Sequence, residues 1–215
     1  MRPLVKEWRV SEKGHDGRRF RFFENGDVVL VCGGVGGAAA RRAAEAVISN
    51  FAPELICSVG FAGALDPTLN VGDVVRPEFV INAGDGSRVA LGSGEGILVS
   101  FGSVASPRQK AKLRESYDAQ AIDMEAAAVA RSAETHGIRF AAVKVISDAV
   151  NFEFPSMEQF VDSDGRFSEF RFAWFAALRP WLWPQVLELA RNSRRAARTL
   201  CSSLRSTELE IFIGR

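Results

Sequence analysis

Residues 121–151 read AIDMEAAAVARSAETHGIRFAAVKVISDAVN, and this stretch carries the reading of the fold. Residues 124–136 are rich in alanine and favour a helix. Asp123, just ahead of them, is an N-cap candidate, because its carboxylate can accept from free backbone N–H groups of the first turn. Gly137 suits the left-handed position past a helix end. Residues 140–146 form a short apolar, β-branched run, the pattern of a buried strand. Ser147 and Asp148 then fall at the carboxyl end of that strand, where open α/β sheets bind ligands. Glu125, in the first turn of the helix, can share that rim. A plainer reading stands beside each acid: Glu125 stabilised by its helix dipole, and Ser147-Asp148 capping a loop.

Working outward, strands and helices alternate. Residues 2–9 read as a short helix and residues 11–17 as a polar turn. Residues 18–23 and 27–32 read as strands around Glu24-Asn25-Gly26, since Asn-Gly favours a hairpin. Residues 38–51 read as an Ala-rich helix ended by Pro53, and residues 55–59 as a buried strand leading into Gly60-Phe61-Ala62-Gly63. A strand begins near residues 71–75 and continues weakly to residue 81, and the Gly-rich residues 82–96 read as loop. Residues 97–101 read as strand, 107–117 as helix and 119–122 as a brief strand. This alternation predicts one α/β domain over residues 1–215, with a central mixed, mostly parallel sheet flanked by helices.

Composition narrows the function. A hydrophobic fraction of 47% with 25% charged residues is that of an ordinary globular chain. A net charge of +1 supplies no general attraction to nucleic acid, so no nucleic-acid partner is expected. Three scattered cysteines lack any CxxC spacing, and only two histidines are present, so neither a disulfide framework nor a metal site is expected. The first ten residues lack the apolar core of a signal peptide, and no uncharged run approaches the ~20 residues of a spanning helix. The expectation is a soluble, cytoplasmic protein.

The C-terminal part, residues 167–205, is aromatic and then basic. Residues 167–183 are dense in Phe and Trp, and Pro184 can open a helix. In that helix Val186, Leu189, Leu200 and Leu204 form an apolar stripe, while Arg191, Arg194, Arg195 and Arg198 recur on another face. It reads as a packing or subunit-interface helix, which implies a homo-oligomer, a dimer first. The alternative is peripheral contact with a membrane surface, where aromatics and arginines suit the headgroup zone.

Glycine loops follow two of the strands. In Gly33-Gly34-Val35-Gly36-Gly37 the spacing Gly34-x-Gly36-x-x-Ala39 meets a loose dinucleotide fingerprint, but the next strand ends without the acid that would hold a ribose hydroxyl. The loop reads either as a backbone turn beside a small ligand or anion, or as glycines serving a sharp strand-to-helix turn. Gly60 to Gly63 could line a pocket at close approach.

Together these stretches resemble the nucleoside phosphorylase / nucleosidase superfamily, which includes purine nucleoside phosphorylases and methylthioadenosine/S-adenosylhomocysteine nucleosidases. The resemblance rests on Gly33-Gly34-Val35-Gly36, on residues 56–75 (ICSVGFAGALDPTLNVGDVV), on Asp123-Met124-Glu125-Ala126 and on Ile146-Ser147-Asp148, in the family's order and spacing. It implies a three-layer fold and cleavage of the N-glycosidic bond of a purine nucleoside. Carried onto these positions, it implies that Glu125 binds the ribose hydroxyls and Met124 packs under the sugar. Asp148 would hydrogen-bond or protonate N7 of the departing purine, with Ser147 positioning it. Gly34, Gly36, Gly60 and Phe61 would line the nucleophile side, and Phe101 would flank the base. No cofactor is implied, only water or phosphate as co-substrate. Breaking the bond builds positive charge on the sugar and negative charge on the base, so one acid on each side is coherent chemistry. The proton-donor role requires Asp148 to be held protonated by burial.

Two departures shape the expectation. Phe61 stands where the family's hexameric phosphorylases carry a phosphate-binding residue, and Ser58 stands at the matching strand position. An apolar ring cannot hydrogen-bond an oxyanion, which favours water. The family also opens with a strand followed by a water-activating acid, whereas Met1-Arg2-Pro3-Leu4 resembles the helix after that acid. The first strand and the acid are therefore expected to be missing. Phe61 and the C-terminal sequence are similar to the hopanoid-associated phosphorylases, which implies adenine release from adenosylhopane.

Overall fold

The computed structural model describes residues 4–153, 160, 165, 168, 172, 175 and 178–205. Ten strands and four α-helices follow in chain order within them: β1 (Arg9–His15), β2 (Arg18–Asn25), β3 (Val28–Val31), α1 (Gly37–Phe51), β4 (Leu55–Ala64), β5 (Val74–Val75), β6 (Phe79–Asn82), β7 (Arg88–Ala90), β8 (Ile97–Ser100), α2 (Pro107–Tyr117), β9 (Ala121–Asp123), α3 (Ala126–Thr135), β10 (Arg139–Asp148) and α4 (Trp183–Arg205).

β1, β2 and β3 form an antiparallel sheet of their own. Here the sequence reading is corrected. Residues 4–8 are turns and bends, and residues 9–15 are a strand rather than helix end and polar turn. Asp16 and Gly17 both take positive φ, 48° and 70°, the geometry of the two-residue hairpin turn that suits twisted strands. Polar side chains on β1 obscured it: Glu12 pairs with Arg21 and Arg9 with Glu24 across the ladder, mostly in solvent. Phe22 anchors this sheet, fully buried and edge-on to Phe51 of α1 at 4.9 Å between ring centroids.

The larger sheet has seven strands in the order β5-β10-β4-β9-β8-β6-β7. It is mixed. β10/β4, β6/β8 and β8/β9 are parallel and hold the long registers, while β10/β5, β4/β9 and β6/β7 are short antiparallel ladders. β10 lies between the short edge strand β5 and β4 and is buried along nearly its whole length, as its apolar run requires. β4 runs on to Ala64, so Gly60 to Gly63 lie within the strand and not in a turn after it. Asn82 ends β6, and residues 83–96 are loop apart from the edge strand β7, where the Arg88 guanidinium lies 3.5 Å over the Phe79 ring.

Helices cover both faces. On one, α1 and α3 bury small residues, Ala40 and Ala44 against Ala126, Ala130 and Ala133, so the helices approach closely over Ile56, Phe140 and Ile146. On the other, Ala196 and Leu200 of α4 pack on Val145, with Val59, Val74 and Leu204 around them. Of the stripe read from the sequence, Leu200 and Leu204 lie on the packing face of α4 and Val186 and Leu189 are half-buried, while Arg191, Arg194, Arg195 and Arg198 are exposed. Trp181 and Trp183 are exposed as well, and Phe167, Phe170 and Trp174 lie outside the described residues. No helix among the described residues is long and apolar enough to cross a membrane. α2 starts on a capping box, Ser106 with Gln109, with Pro107 at the first helical position.

Candidate active site

Strand order brings the sequence candidates together. Ala121 and Ile122 of β9 pair antiparallel with Ala64 and Gly63 at the end of β4, and β10 runs parallel to β4 on its other side. Asp123, Gly60 to Gly63, and Ser147-Asp148 therefore converge at one edge of the sheet.

The Asp148 end is shaped by a bulge. Ile146 pairs with Ala62 but Asp148 pairs with Gly63, leaving Ser147 as the extra residue. Bulges re-aim side chains, and this one turns the Asp148 carboxylate over Gly63. A β-carbon at Gly63 would lie 2.7 Å from Asp148 Oδ2, so only glycine fits under the carboxylate as it stands. The Ser147 hydroxyl donates to Asp148 Oδ1 at 2.8 Å and lies 3.3 Å from the Ala62 carbonyl. On the other oxygen stands a residue the sequence reading did not select. Lys110 Nζ is 2.5 Å from Asp148 Oδ2 and donates to the Ala149 carbonyl at 2.8 Å, with its side chain only 3% exposed. Lys110 is thus a second partner of the Asp148 carboxyl group, beside the burial on which the proton-donor role was expected to rest.

Glu125 occupies the other end. It is the N-cap of α3 rather than part of its first turn, and the helix begins at Ala126. Asp123 ends β9 and still serves the helix, as Oδ2 accepts from the Ala126 N–H at 2.9 Å. The Gly36 N–H, at the start of α1, donates to Glu125 Oε1 at 2.8 Å. Gly36 holds φ 89°, a left-handed conformation that points its N–H across and that side-chain-bearing residues rarely adopt. Burial pushes the Glu125 carboxyl above its ordinary value; the Asp123 charge adds to this, and the Gly36 N–H, Lys144 and the Met124 N–H oppose it.

The same contact involves the Gly33–Gly37 loop. Its Gly36 N–H serves Glu125, and its Val35 N–H donates to the Gly165 carbonyl at 2.8 Å, beside Gly34. Both donors are engaged within the chain, as in a strand-to-helix turn.

Between the two ends lies a buried ion pair, Lys144 Nζ to Asp123 Oδ2 at 2.8 Å. Ser58 accepts from Lys144 at 3.1 Å, and Ser100 donates to Asp123 Oδ1 at 2.5 Å while accepting from the Ala127 N–H. Gly60 faces this ammonium, with 3.6 Å from its virtual β-carbon to Nζ. Phe61, one residue on and 41% exposed, alternates to the side of Val59, the α4 face, and is not brought to Lys144. Met124 is half-buried next to Glu125, and the Phe101 N–H donates to the Asp123 carbonyl at 2.8 Å, which holds Phe101 beside the same strand end. Lys110 and Lys144 escaped the sequence reading because lysine is seldom buried; a lysine inside the apolar run FAAVKVI was the one available signal.

Comparison with known proteins agrees in fold. A family model described as "Phosphorylase superfamily" matches residues 3–107 and 94–177. The 5'-methylthioadenosine/S-adenosylhomocysteine nucleosidase of Staphylococcus aureus (strain bovine RF122 / ET3-1) is 28% identical over 161 residues, 59% of this chain and 71% of the relative. The structure of the enzyme of that same name from Helicobacter pylori, solved with butyl-thio-DADMe-Immucillin-A, superposes with a TM-score of 0.69 at 17% identity, over 97% of this chain and 92% of that one. The native futalosine hydrolase of Helicobacter pylori strain 26695 gives a TM-score of 0.61 at 16% identity, over 94% and 92%.

Proposed function

The chain belongs to the phosphorylase superfamily, and on that premise we propose that it cleaves the N-glycosidic bond of a purine nucleoside, with water as the nucleophile. The observation that carries this reading is the placement of Glu125, just after β9, and Asp148, at the end of β10, on the two strands that flank β4. Glu125 binds the ribose hydroxyls and stabilises the sugar as it gains positive charge. Met124 packs beneath the sugar, and Phe101 flanks the base. As the carbon–nitrogen bond breaks, its electron pair passes to the purine, and Asp148, oriented by Ser147, hydrogen-bonds or protonates N7. Water adds to the sugar carbon, and the proton it gives up replaces the one that the purine takes. These interactions strengthen as charge develops, which is what lowers a barrier.

Water is favoured over phosphate by the engaged N–H groups of Val35 and Gly36, which leave fewer donors for an oxyanion. No cofactor enters this chemistry. The relatives named above support an adenosyl nucleoside with a 5′ substituent. The exposed Trp181, Trp183 and Leu187 beside an arginine-bearing helix face favour a large apolar substituent, adenosylhopane among them, met at a membrane surface by a cytoplasmic homodimer.

The test is adenine release from 5′-substituted adenosines, with and without phosphate. Release without phosphate, lost by at least about 100-fold in Asp148→Asn and Glu125→Gln, is expected. Turnover retained in either variant overturns the assigned roles, and strict dependence on phosphate overturns hydrolysis.

A further inference from the structure

Lys110 is the only fully buried residue of α2. Leu113 and Tyr117 supply the apolar packing of this helix, so the lysine is not what docks it. An apolar side chain would fill the space without the cost of dehydrating an ammonium, and buried ion pairs seldom repay that cost in stability. What this lysine does instead is reach from the first turns of α2 to a single carboxylate. The capping box at Ser106 and Gln109 fixes the start of the helix, and the Lys110 N–H donates to the Ser106 carbonyl at 2.9 Å, so the root of the side chain is rigid. Its tip is held by Asp148 Oδ2 and the Ala149 carbonyl.

Asp148 therefore carries one donor on each oxygen, Lys110 on Oδ2 and Ser147 on Oδ1. The two donors come from different elements, α2 and the bulge of β10. A carboxylate held on both sides cannot rotate about its terminal bond without losing a contact. It nevertheless keeps its side chain 23% exposed, enough to meet a ligand.

We propose that Lys110 is a positioning residue for the reaction: through Oδ2 it fixes the plane of the Asp148 carboxyl against the departing purine. This rests on the reading that Asp148 serves the base. Positioned groups contribute chiefly to the transition state, and a misplacement of about 1 Å costs on the order of 100-fold in rate. Lys110 acts only through Asp148 and touches no substrate.

The experiment compares the wild type with Lys110→Met, which keeps the stem and removes the ammonium, and with Lys110→Ala in the presence and absence of ethylamine. The readouts are adenine release from 5′-substituted adenosines and calorimetric binding of adenine. Lys110→Met is expected to lower kcat about 100-fold with KM changed less than about threefold. Ethylamine is expected to restore at least about tenfold of the activity of Lys110→Ala and to leave the wild type unchanged, which a purely structural lysine would not show. Wild-type kcat in Lys110→Met, or loss of activity in Lys110→Ala with no rescue, overturns the proposal. Should Lys110→Met not fold, the ethylamine result decides. Should the wild type bind adenine but release none, the functional reading fails on its own. The binding cycle of Lys110→Met, Asp148→Asn and their double variant then decides: equal, non-additive losses sustain the positioning role and additive ones overturn it. A wild type that neither binds nor releases adenine overturns both.

Discussion

Lys144 Nζ stands 2.8 Å from Asp123 Oδ2 in the interior of the larger sheet, with both side chains no more than 2% exposed. Every remaining polar contact of the pair is local: Ser58 on the ammonium, Ser100 and the Ala126 N–H on the carboxylate. Removing one partner leaves the other charged and dehydrated. Asp123→Ala is expected to destabilise the fold by about 3–5 kcal/mol, read by urea denaturation. Asp123→Ala with Lys144→Met is expected to cost less than the sum of the single changes. Additive losses would show that the two groups do not hold each other.

Gly63 is the seat of the Asp148 carboxylate. A methyl group there meets Asp148 Oδ2 at 2.7 Å and Ile122 Cγ2 at 3.2 Å, and the carboxylate is the softer obstacle. Gly63→Ala should therefore fold, displace Asp148 from Lys110, and lower kcat by about 100-fold, with stability changed by no more than about 1–3 kcal/mol. Full turnover in a folded Gly63→Ala protein would contradict the seating.

The raised titration of Glu125 makes stability depend on pH. Its carboxyl binds a proton more tightly folded than unfolded, first because it is buried. Stability then falls as pH rises from about 4.3, the ordinary glutamate value, through the folded value, and stays lower beyond it. Glu125→Gln removes this dependence while keeping an oxygen for the Gly36 N–H. The stability of the variant relative to the wild type should therefore increase with pH across that window. Chemical denaturation at a series of pH values checks it, and a difference that shrinks with pH contradicts it.

Burial pushes the Cys57 thiol up to about 11, whereas Cys32 is exposed. Since the thiolate is the reactive form, Cys57 should resist a maleimide at pH 7.5 in the native protein while Cys32 reacts. Mass spectrometry of the labelled protein reads this directly. Cys57 should label fully in urea, and equal native rates would show that the strand end is open.

Much of the architecture was legible because the local signals agreed with one another. The capping box and Pro107 mark the start of α2 to the residue, and alternation of apolar strands with Ala-rich helices marks the α/β class. Where the reading failed, a local signal was outweighed. β1 is polar because its partner strand and solvent, not a core, receive its side chains, so its pattern resembled a turn although Asp16-Gly17 was a hairpin signal in plain view. Gly60 to Gly63 resembled a turn because glycines break strands in isolation; in β4 they are kept by what stands against them, Lys144 and the Asp148 carboxylate.

The sequence by itself determined the α/β class, the family, and Glu125 and Asp148 as the acids to follow, because periodicity, capping and short motifs are local properties. Only the tertiary structure decided what those acids face. Lys110 lies 38 residues from Asp148 and Gly36 lies 89 residues from Glu125, and such pairs are made by sheet order and a one-residue bulge. Whether a carboxylate meets a cation, a backbone N–H or water is settled by packing across the chain, and that choice sets its chemistry.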